Sequence, residues 1–345
     1  MLARVSGSSL TGSVVVAYPW LERDDLMESL RATVPDAEVI AQPFVGDKFG
    51  QHVRDHSAYD ELTDERRAVW QRAEVVMALD LPKAIEELAP DLRWVQAIGA
   101  GVDHLGDRGL PDHVVVTNAV GVAAVPIAEF VIARLLGVWK RTADLDELQQ
   151  RHEWKATFGR LFDGSTVGLV GLGAIGGAVA ARARALGART LGIRRSYQPG
   201  DTSPLCDELF GTDALYDVLA RCDAVVLSAP ATPETENLFD ARAFAAMPTG
   251  SVFCNVARGS LVDEAALIGA LERGHLGAAI LDVTRTEPLP PDDPLWDAPN
   301  IFISPHSSAS QDRYLEALFE LFADNLGRYA RGDALRNVVD RAAGY

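Results

Sequence analysis

Three polar residues follow strand-like apolar runs in the second half of the sequence. Arg258 follows SVFCNV, Glu287 comes soon after AAILDV, and His306 follows IFISP. Ligands of open α/β sheets bind beyond the carboxyl ends of the strands, so we expect these side chains to share one rim. The sequence therefore predicts a site that combines an arginine, a carboxylate and a histidine.

This combination suits hydride transfer to the ketone of a small acid. Histidine titrates near neutral pH, and we predict that His306 donates the proton to the nascent alkoxide. Glu287 would hold the ring and favour its charged form. Arg258 would grip the substrate carboxylate and polarise the adjacent carbonyl. Taken singly, Arg258 and Glu287 also fit surface ion pairs, and His306 fits an ordinary loop histidine.

A glycine-rich loop predicts a dinucleotide site. Gly171, Gly173 and Gly176 form a GxGxxG pattern between the apolar run TVGLV and the helical stretch AIGGAVAARARALG. The glycines permit a tight turn and close backbone approach, and the helix N-terminus offers amides to a pyrophosphate. Strand, loop and helix occur in the order that this mechanism requires.

The next strand-like run, RTLGI, ends in a basic pair where an NAD site has an acidic residue. Arg194, Arg195 and Ser196 occupy this place. Two guanidinium groups and a hydroxyl suit a 2'-phosphate, so the sequence predicts a preference for NADP over NAD. The alternative is a solvated pair of surface arginines.

The overall charge excludes several classes of partner. Asp and Glu total 49 against 32 Lys and Arg, a net charge of -17 that repels nucleic acid and anionic lipid. No apolar run approaches the roughly 18 residues of a membrane span, and the N-terminal residues lack the apolar core of a signal peptide. We expect a cytoplasmic protein with neither nucleic-acid nor membrane partners.

The sequence predicts no metal site. Its three cysteines, Cys206, Cys222 and Cys254, contain no CxxC pair, which fits a reducing compartment. His52 and His56 are spaced i, i+4 and could bind a metal, but no third ligand is evident.

Short apolar runs alternate with amphipathic stretches along most of the chain, a pattern typical of βαβ units and an α/β fold. With 345 residues, the chain is long enough for two domains. A second series of alternating strands and helices begins near TVGLV. The last forty or so residues carry only a helical pattern. We expect those last residues to pack on the first domain.

The stretch from Trp94 to Ala309 resembles the D-isomer-specific 2-hydroxyacid dehydrogenase family. Six motifs in family order carry the resemblance: GAGVDHL, VGLVGLGAIG, CDAVVLSAPATPETENLFD, NVARGSLVDEAAL, LDVTRTEPLPPDDPLW and SPHSSA. The family commonly has an acidic residue at the position of Arg194. Its absence here is similar to the glyoxylate and hydroxypyruvate reductase branch of the family. The resemblance implies that the protein reduces a small 2-oxo acid to the D-2-hydroxy acid. NADPH would be the preferred cofactor and NAD the less favoured one. The resemblance also implies a homodimer.

The resemblance also implies the domain plan. A Rossmann-type dinucleotide-binding domain, residues 122–306, would be inserted in a flavodoxin-like substrate domain made of residues 1–121 and 307–345. Residues 1–74 match the family in pattern only, so the sequence does not predict which side chain the substrate carries. The chain ends soon after its last helical stretch, so we expect no further regulatory domain.

The family pattern gives Arg258, Glu287 and His306 the roles reached above from strand ends. It implies that the backbone of Ala100, Gly101 and Val102 binds the substrate carboxylate. Ala174 and Ile175 would meet the pyrophosphate, Pro230 and Thr235 the adenosine side, and Asp282 the nicotinamide amide. The remaining residues implied at the cofactor are Val256, Ala257, Ser308 and His306 itself.

Two other functions fit the same resemblance. One is a dinucleotide-sensing binding protein, similar to the corepressors that resemble this family. The other is a dehydrogenase of an unusual anion such as phosphite or formate, whose reaction needs no proton delivered to a carbonyl.

Overall fold

The computed structural model describes residues 10–18, 23–42, 62–309 and 313–341. The chain divides into two compact units, one of Met1–Val122 with Gln311–Tyr345 and one of Ala123–Ser310. The sequence placed the domain boundaries after residues 121 and 306. These domain boundaries stay a prediction.

Strands and helices alternate along both units. The strands are β1 (Ser13–Ala17), β2 (Val39–Ala41), β3 (Ala73–Ala78), β4 (Trp94–Ala97), β5 (Val115–Thr117), β6 (Thr166–Val170), β7 (Arg189–Ile193), β8 (Glu208–Phe210), β9 (Ala224–Leu227), β10 (Ser251–Asn255), β11 (Leu276–Leu281) and β12 (Ile301–Ile303). The helices are α1 (Asp24–Thr33), α2 (Asp64–Trp70), α3 (Ile85–Leu88), α4 (Ala124–Lys140), α5 (Thr142–Gln150), α6 (Ala174–Ala185), α7 (Leu215–Leu219), α8 (Ala241–Ala246), α9 (Glu264–Glu272) and α10 (Tyr314–Arg331).

The first unit contains a parallel sheet in the order β2-β1-β3-β4-β5, which is the flavodoxin-like arrangement. Both faces of this sheet are covered, so β1 is a continuous apolar run. Val14 and Val16 pack on the side of α1 and α10, whereas Val15 packs on the side of α2 and α3. The alternation follows from the two-residue period of a strand.

The helix α10 is held to this sheet by aromatic packing and by a buried polar network. The ring of Trp94 lies 5.3 Å from that of Phe322 and 5.5 Å from that of Tyr329, centre to centre. Asn325 Nδ2 donates to Gln96 Oε1 (3.3 Å), and both of these residues are fully buried. A buried amide without a partner costs about 1–3 kcal/mol, so this network specifies where α10 docks.

The second unit contains a parallel sheet in the order β12-β11-β10-β9-β6-β7-β8. Counted from β6, this is the Rossmann order with a further strand at one edge. One face packs on α4 and α6, and the other packs on α7, α8 and α9. The predicted fold class, two parallel α/β sheets of which one is of Rossmann type, is confirmed. In the part of the chain that the structure describes, no helix combines the length and apolar character needed to cross a membrane.

Replacing Phe322 by Ala should test the docking of α10. Because the ring is fully buried against Trp94, we expect the free energy of unfolding to fall by about 3–5 kcal/mol. Urea unfolding followed by circular dichroism measures this change. Val120→Ala, at an exposed position of the same unit, is the control and should change it by less than about 0.5 kcal/mol. A loss below about 1 kcal/mol for Phe322→Ala would contradict the packing described here.

Candidate active site

Arg258, Glu287 and His306 follow three strands that are neighbours in the second sheet. The strands β10, β11 and β12 are parallel, so their carboxyl ends lie at the same edge. Arg258 follows β10, Glu287 follows β11 and His306 follows β12. The sheet therefore places the three predicted catalytic residues at one rim, where open α/β sheets bind ligands.

The side chains of His306 and Glu287 are in direct contact. His306 Nδ1 lies 3.0 Å from Glu287 Oε2 and 3.4 Å from Oε1. The amide of Thr284 donates to Glu287 Oε1 (3.1 Å), which helps to orient the carboxylate. A carboxylate only accepts, so we assign a proton to Nδ1. Nε2 is then the ring atom that can exchange a proton with a substrate.

The backbone of His306 adopts an unusual conformation. Its φ is +52°, in the left-handed region that costs a residue with a side chain roughly 1–2 kcal/mol. The amide of His306 donates to the carbonyls of Asp282 (2.8 Å) and Ser304 (2.9 Å). These contacts hold the ring position against the backbone strain.

The carboxylate of Asp282 anchors the loop that carries His306. It is 3% exposed, and its Oδ1 accepts from Ser304 Oγ (2.7 Å) and from the amides of Ser307 (2.9 Å) and Ser308 (3.0 Å). Ser308 Oγ donates to Oδ2. The sequence assigned Asp282 and Ser308 to the cofactor, and it missed this anchor. One feature of the sequence could have indicated this anchor. An acid directly after an apolar strand is expected to be buried, and a buried carboxylate needs hydrogen-bond donors such as the hydroxyls of SPHSS.

The turn that carries Arg258 is fixed from two sides. The buried Asn255 donates from Nδ2 to the Arg258 carbonyl (2.9 Å) and accepts from the amide of Ala257 (3.0 Å). A Cβ on Gly259 would lie 2.0 Å from the carbonyl carbon of Thr284, so only glycine fits there. This contact brings the turn after β10 against the segment that leads to Glu287. Sequence reasoning gave no role to Asn255 or to Gly259.

The predicted pyrophosphate loop lies between β6 and α6. Gly171 has a φ of +100°, and a Cβ there would lie 2.6 Å from the amide nitrogen of Ala229. A Cβ on Gly176 would lie 2.1 Å from the Gly171 carbonyl oxygen, whereas a Cβ on Gly173 would meet no other group of the described residues within 4 Å. Ala174 and Ile175 open α6, where helix amides lack partners within the helix. This tight loop with an open approach at Gly173 fits a pyrophosphate.

Arg194, Arg195 and Ser196 follow β7, the neighbour of β6 in the sheet. Arg194 is half-buried, and its Nη2 donates to Asp201 Oδ2 (3.1 Å). Arg195 and Ser196 are exposed to solvent. Exposed groups of this kind remain accessible to a cofactor phosphate.

The other predicted cofactor residues also follow strands of this sheet. Thr235 Oγ1 donates to the Pro230 carbonyl (2.8 Å), in the segment after β9. Val256 and Ala257 follow β10 directly and are buried. The strand β9 borders β6, and β10 borders β9 in the same parallel sheet, so these residues lie at the edge that carries the glycine loop.

Ala100, Gly101 and Val102 belong to the first unit, where they follow β4. In the part of the chain that the structure describes, their backbone amides donate to no protein acceptor. Unpaired successive amides are suited to an anion. His52 and His56, considered above as a metal pair, lie outside the described residues.

The comparison with protein families matches the second unit. The family model described as "D-isomer specific 2-hydroxyacid dehydrogenase, NAD binding domain" matches residues 132–308. This range begins within α4 and ends in the loop that follows His306.

Individual relatives extend the similarity. The chain is 39% identical over 232 residues to D-3-phosphoglycerate dehydrogenase of Mycobacterium leprae, covering 65% of this chain but only 43% of that longer protein. It is 30% identical over 297 residues to glyoxylate reductase of Korarchaeum cryptofilum, covering 82% of this chain and 88% of the relative.

A solved structure is similar over almost the whole chain. The NADPH-dependent glyoxylate/hydroxypyruvate reductase of Sinorhizobium meliloti, solved with NADP and sulfate, superposes with a TM-score of 0.78 at 29% identity. The match covers 97% of this chain and all of that one. The chain therefore belongs to the D-isomer specific 2-hydroxyacid dehydrogenase family.

Proposed function

We propose that this protein reduces a small 2-oxo acid, of the size of glyoxylate or hydroxypyruvate, to the D-2-hydroxy acid with NADPH. The contact of 3.0 Å between His306 Nδ1 and Glu287 Oε2, at the rim of a Rossmann sheet, carries the proposal. The names of the Korarchaeum cryptofilum and Sinorhizobium meliloti relatives support it.

The residues of the chain act on the substrate carbonyl and carboxylate. When bound at the glycine loop, NADPH supplies the hydride. His306 donates a proton from Nε2 to the carbonyl oxygen, and Glu287 stabilises the charged ring before the transfer. Arg258 binds the substrate carboxylate and polarises the carbonyl. The family resemblance assigns the binding of a substrate carboxylate to the amides of Ala100, Gly101 and Val102 as well.

Cofactor choice follows from the residues after β7. A ribose with free hydroxyls is normally bound by an acid there, whereas a 2'-phosphate needs positive charge. Arg194, Arg195 and Ser196 supply two cations and a hydroxyl, which supports NADPH. The NADP bound by the Sinorhizobium meliloti relative supports the same choice.

We also propose that the protein is a cytoplasmic homodimer formed through its second unit. Trp154, Phe158 and Leu161 expose most of their apolar surface, 105%, 86% and 71% of the reference area. Exposed apolar clusters of this kind mark contact surfaces. The three cysteines are buried and unpaired, which supports a reducing compartment. Burial raises the pKa of the Cys222 thiol to about 12.

The reaction is tested by the loss of NADPH or NADH absorbance with glyoxylate, hydroxypyruvate, pyruvate and phenylpyruvate. We expect turnover with at least one acid, and a kcat/KM about 10-fold or more higher with NADPH than with NADH. Arg195→Ala should reduce this preference, because a hydrogen bond to a charged group is worth about 1.5–3 kcal/mol. Arg189→Ala, an exposed arginine of β7 that pairs with Glu208, is the control.

An NADPH/NADH ratio near one would contradict the cofactor proposal alone. No turnover with any of the four acids would contradict the reaction. Binding of a protein partner that depends on NAD(H) would then favour the cofactor-sensing function, and oxidation of phosphite or formate would favour the unusual-anion function.

His306→Gln should lower kcat by about 100- to 10,000-fold, because it removes the proton donor but keeps a polar side chain of similar size. The Kd for NADPH, measured by fluorescence titration, should stay within about two-fold of wild type, since the glycine loop is unchanged. His113→Gln, at an exposed position of the first unit, controls for loss of a histidine. Near-normal turnover of His306→Gln would show that another group donates the proton.

Sedimentation velocity tests the homodimer. We expect a species of twice the 37.1 kDa chain mass. The double change Trp154→Ala with Phe158→Ala should weaken the dimer by about 100-fold or more, since truncating an aromatic hot spot costs about 2 kcal/mol or more. Leu186→Ala, at another exposed apolar position, should leave the dimer intact. A wild-type chain that sediments only as a monomer would refute the assembly.

A further inference from the structure

Three successive carbonyls of the loop after β4 are each held by a donor. They belong to Ile98, Gly99 and Ala100. Their donors, in the same order, are the hydroxyl of Tyr314, the amide of Ala119 (2.9 Å) and Nδ2 of Asn118 (2.9 Å). The loop therefore has its carbonyl oxygens fixed by three separate groups of the first unit.

Fixing these carbonyls also fixes the amides of the loop. A trans peptide unit is planar, and its C=O and the following N–H point in opposite directions. The amides of Gly99, Ala100 and Gly101 are therefore directed away from the three donors. Among the residues that the structure describes, none of these amides donates to a protein acceptor. Oriented, unpaired amides of this kind attract an anion.

The two side-chain donors are themselves held in place. Tyr314 is the first residue of α10, and desolvation raises the pKa of its phenol, so the hydroxyl keeps its proton. The amide of Asn118 donates to the Asn337 carbonyl (3.1 Å), and Asn337 Nδ2 donates back to the Asn118 carbonyl (3.2 Å). Asn118 Oδ1 also accepts from the amide of Val120 (3.2 Å).

We propose that Tyr314 and Asn118 are positioning residues that orient the amides of the Gly99–Gly101 loop toward the carboxylate of the substrate. Tyr314 acts on the amide of Gly99, and Asn118 acts on the amide of Gly101. This inference rests on the proposed function, because it assumes that the ligand of the loop is the substrate carboxylate. It extends the predicted carboxylate site to Gly99.

The test measures the binding of oxamate, a non-reducible analogue of a 2-oxo acid, to the full chain saturated with NADPH. Tyr314→Phe removes one hydroxyl and leaves the ring. We expect the Kd for oxamate and the KM for the 2-oxo acid to rise by about 3- to 10-fold, which corresponds to one hydrogen bond. The kcat should stay within about two-fold of wild type, because binding is weakened equally before and during the reaction.

Tyr329→Phe is the matched control, since Tyr329 lies on the same helix and its hydroxyl donates to Glu74 Oε1 (2.7 Å), away from the loop. It should lower the stability without changing the Kd for oxamate. If Tyr314→Phe does not fold, Asn118→Ala tests the same proposal at the Ala100 carbonyl, with an expected rise in Kd of at least about 3-fold.

The outcomes separate the two levels of the proposal. The positioning role would be overturned if Tyr314→Phe or Asn118→Ala bound oxamate with the wild-type Kd, or if the rise in Kd were no larger than in Tyr329→Phe. The proposed function would then still stand. If the wild-type chain neither binds oxamate nor reduces any 2-oxo acid, the proposed function fails, and the positioning of a substrate carboxylate fails with it.

Discussion

The close backbone contact between Gly259 and Thr284 is the constraint on which the second unit's site depends. A Cβ at this glycine would lie 2.0 Å from the Thr284 carbonyl carbon, so the segments after β10 and β11 approach as closely as two backbones can. The amide of Thr284 then orients Glu287, which in turn contacts His306. The spacing of the proposed catalytic groups is thus set by main-chain packing, which is less variable than side-chain rotamers.

In each unit, the loop proposed to bind the substrate is held by hydrogen bonds to groups around it. In the second unit the carboxylate of Asp282 accepts hydrogen bonds from the loop that carries His306. The backbone carbonyl of Asp282 accepts from the amide of His306. In the first unit Tyr314, Ala119 and Asn118 donate hydrogen bonds to three carbonyls of the loop after β4. Leaving such a group without a partner costs about 1–3 kcal/mol, so the loops have little freedom to rearrange.

The sequence predicted the features that local pattern encodes. An apolar run followed by a polar residue identifies a strand end, so Arg258, Glu287 and His306 could be placed at one rim, and the ordered motifs identified a family that the comparisons confirm. Contacts between distant residues could not be predicted. Tyr314 and Ile98 are 216 residues apart, and no periodicity links a phenol to a particular carbonyl. The family resemblance placed Asp282 at the cofactor, which stays a prediction, but an acid at a strand end does not reveal which donors of its own chain reach it.

The packing of Trp94 against Phe322 has a consequence for the order in which the chain folds during synthesis. The second unit is continuous in sequence, whereas the first also contains α10, which is synthesised after the second unit. Until Phe322 and Tyr329 emerge, α1 alone packs on one apolar face of the first sheet, and the part of that face next to Trp94 is open to chaperones or to aggregation. Nascent chains stalled before α10 would therefore expose Trp94, while the nucleotide-binding unit has all of its strands available.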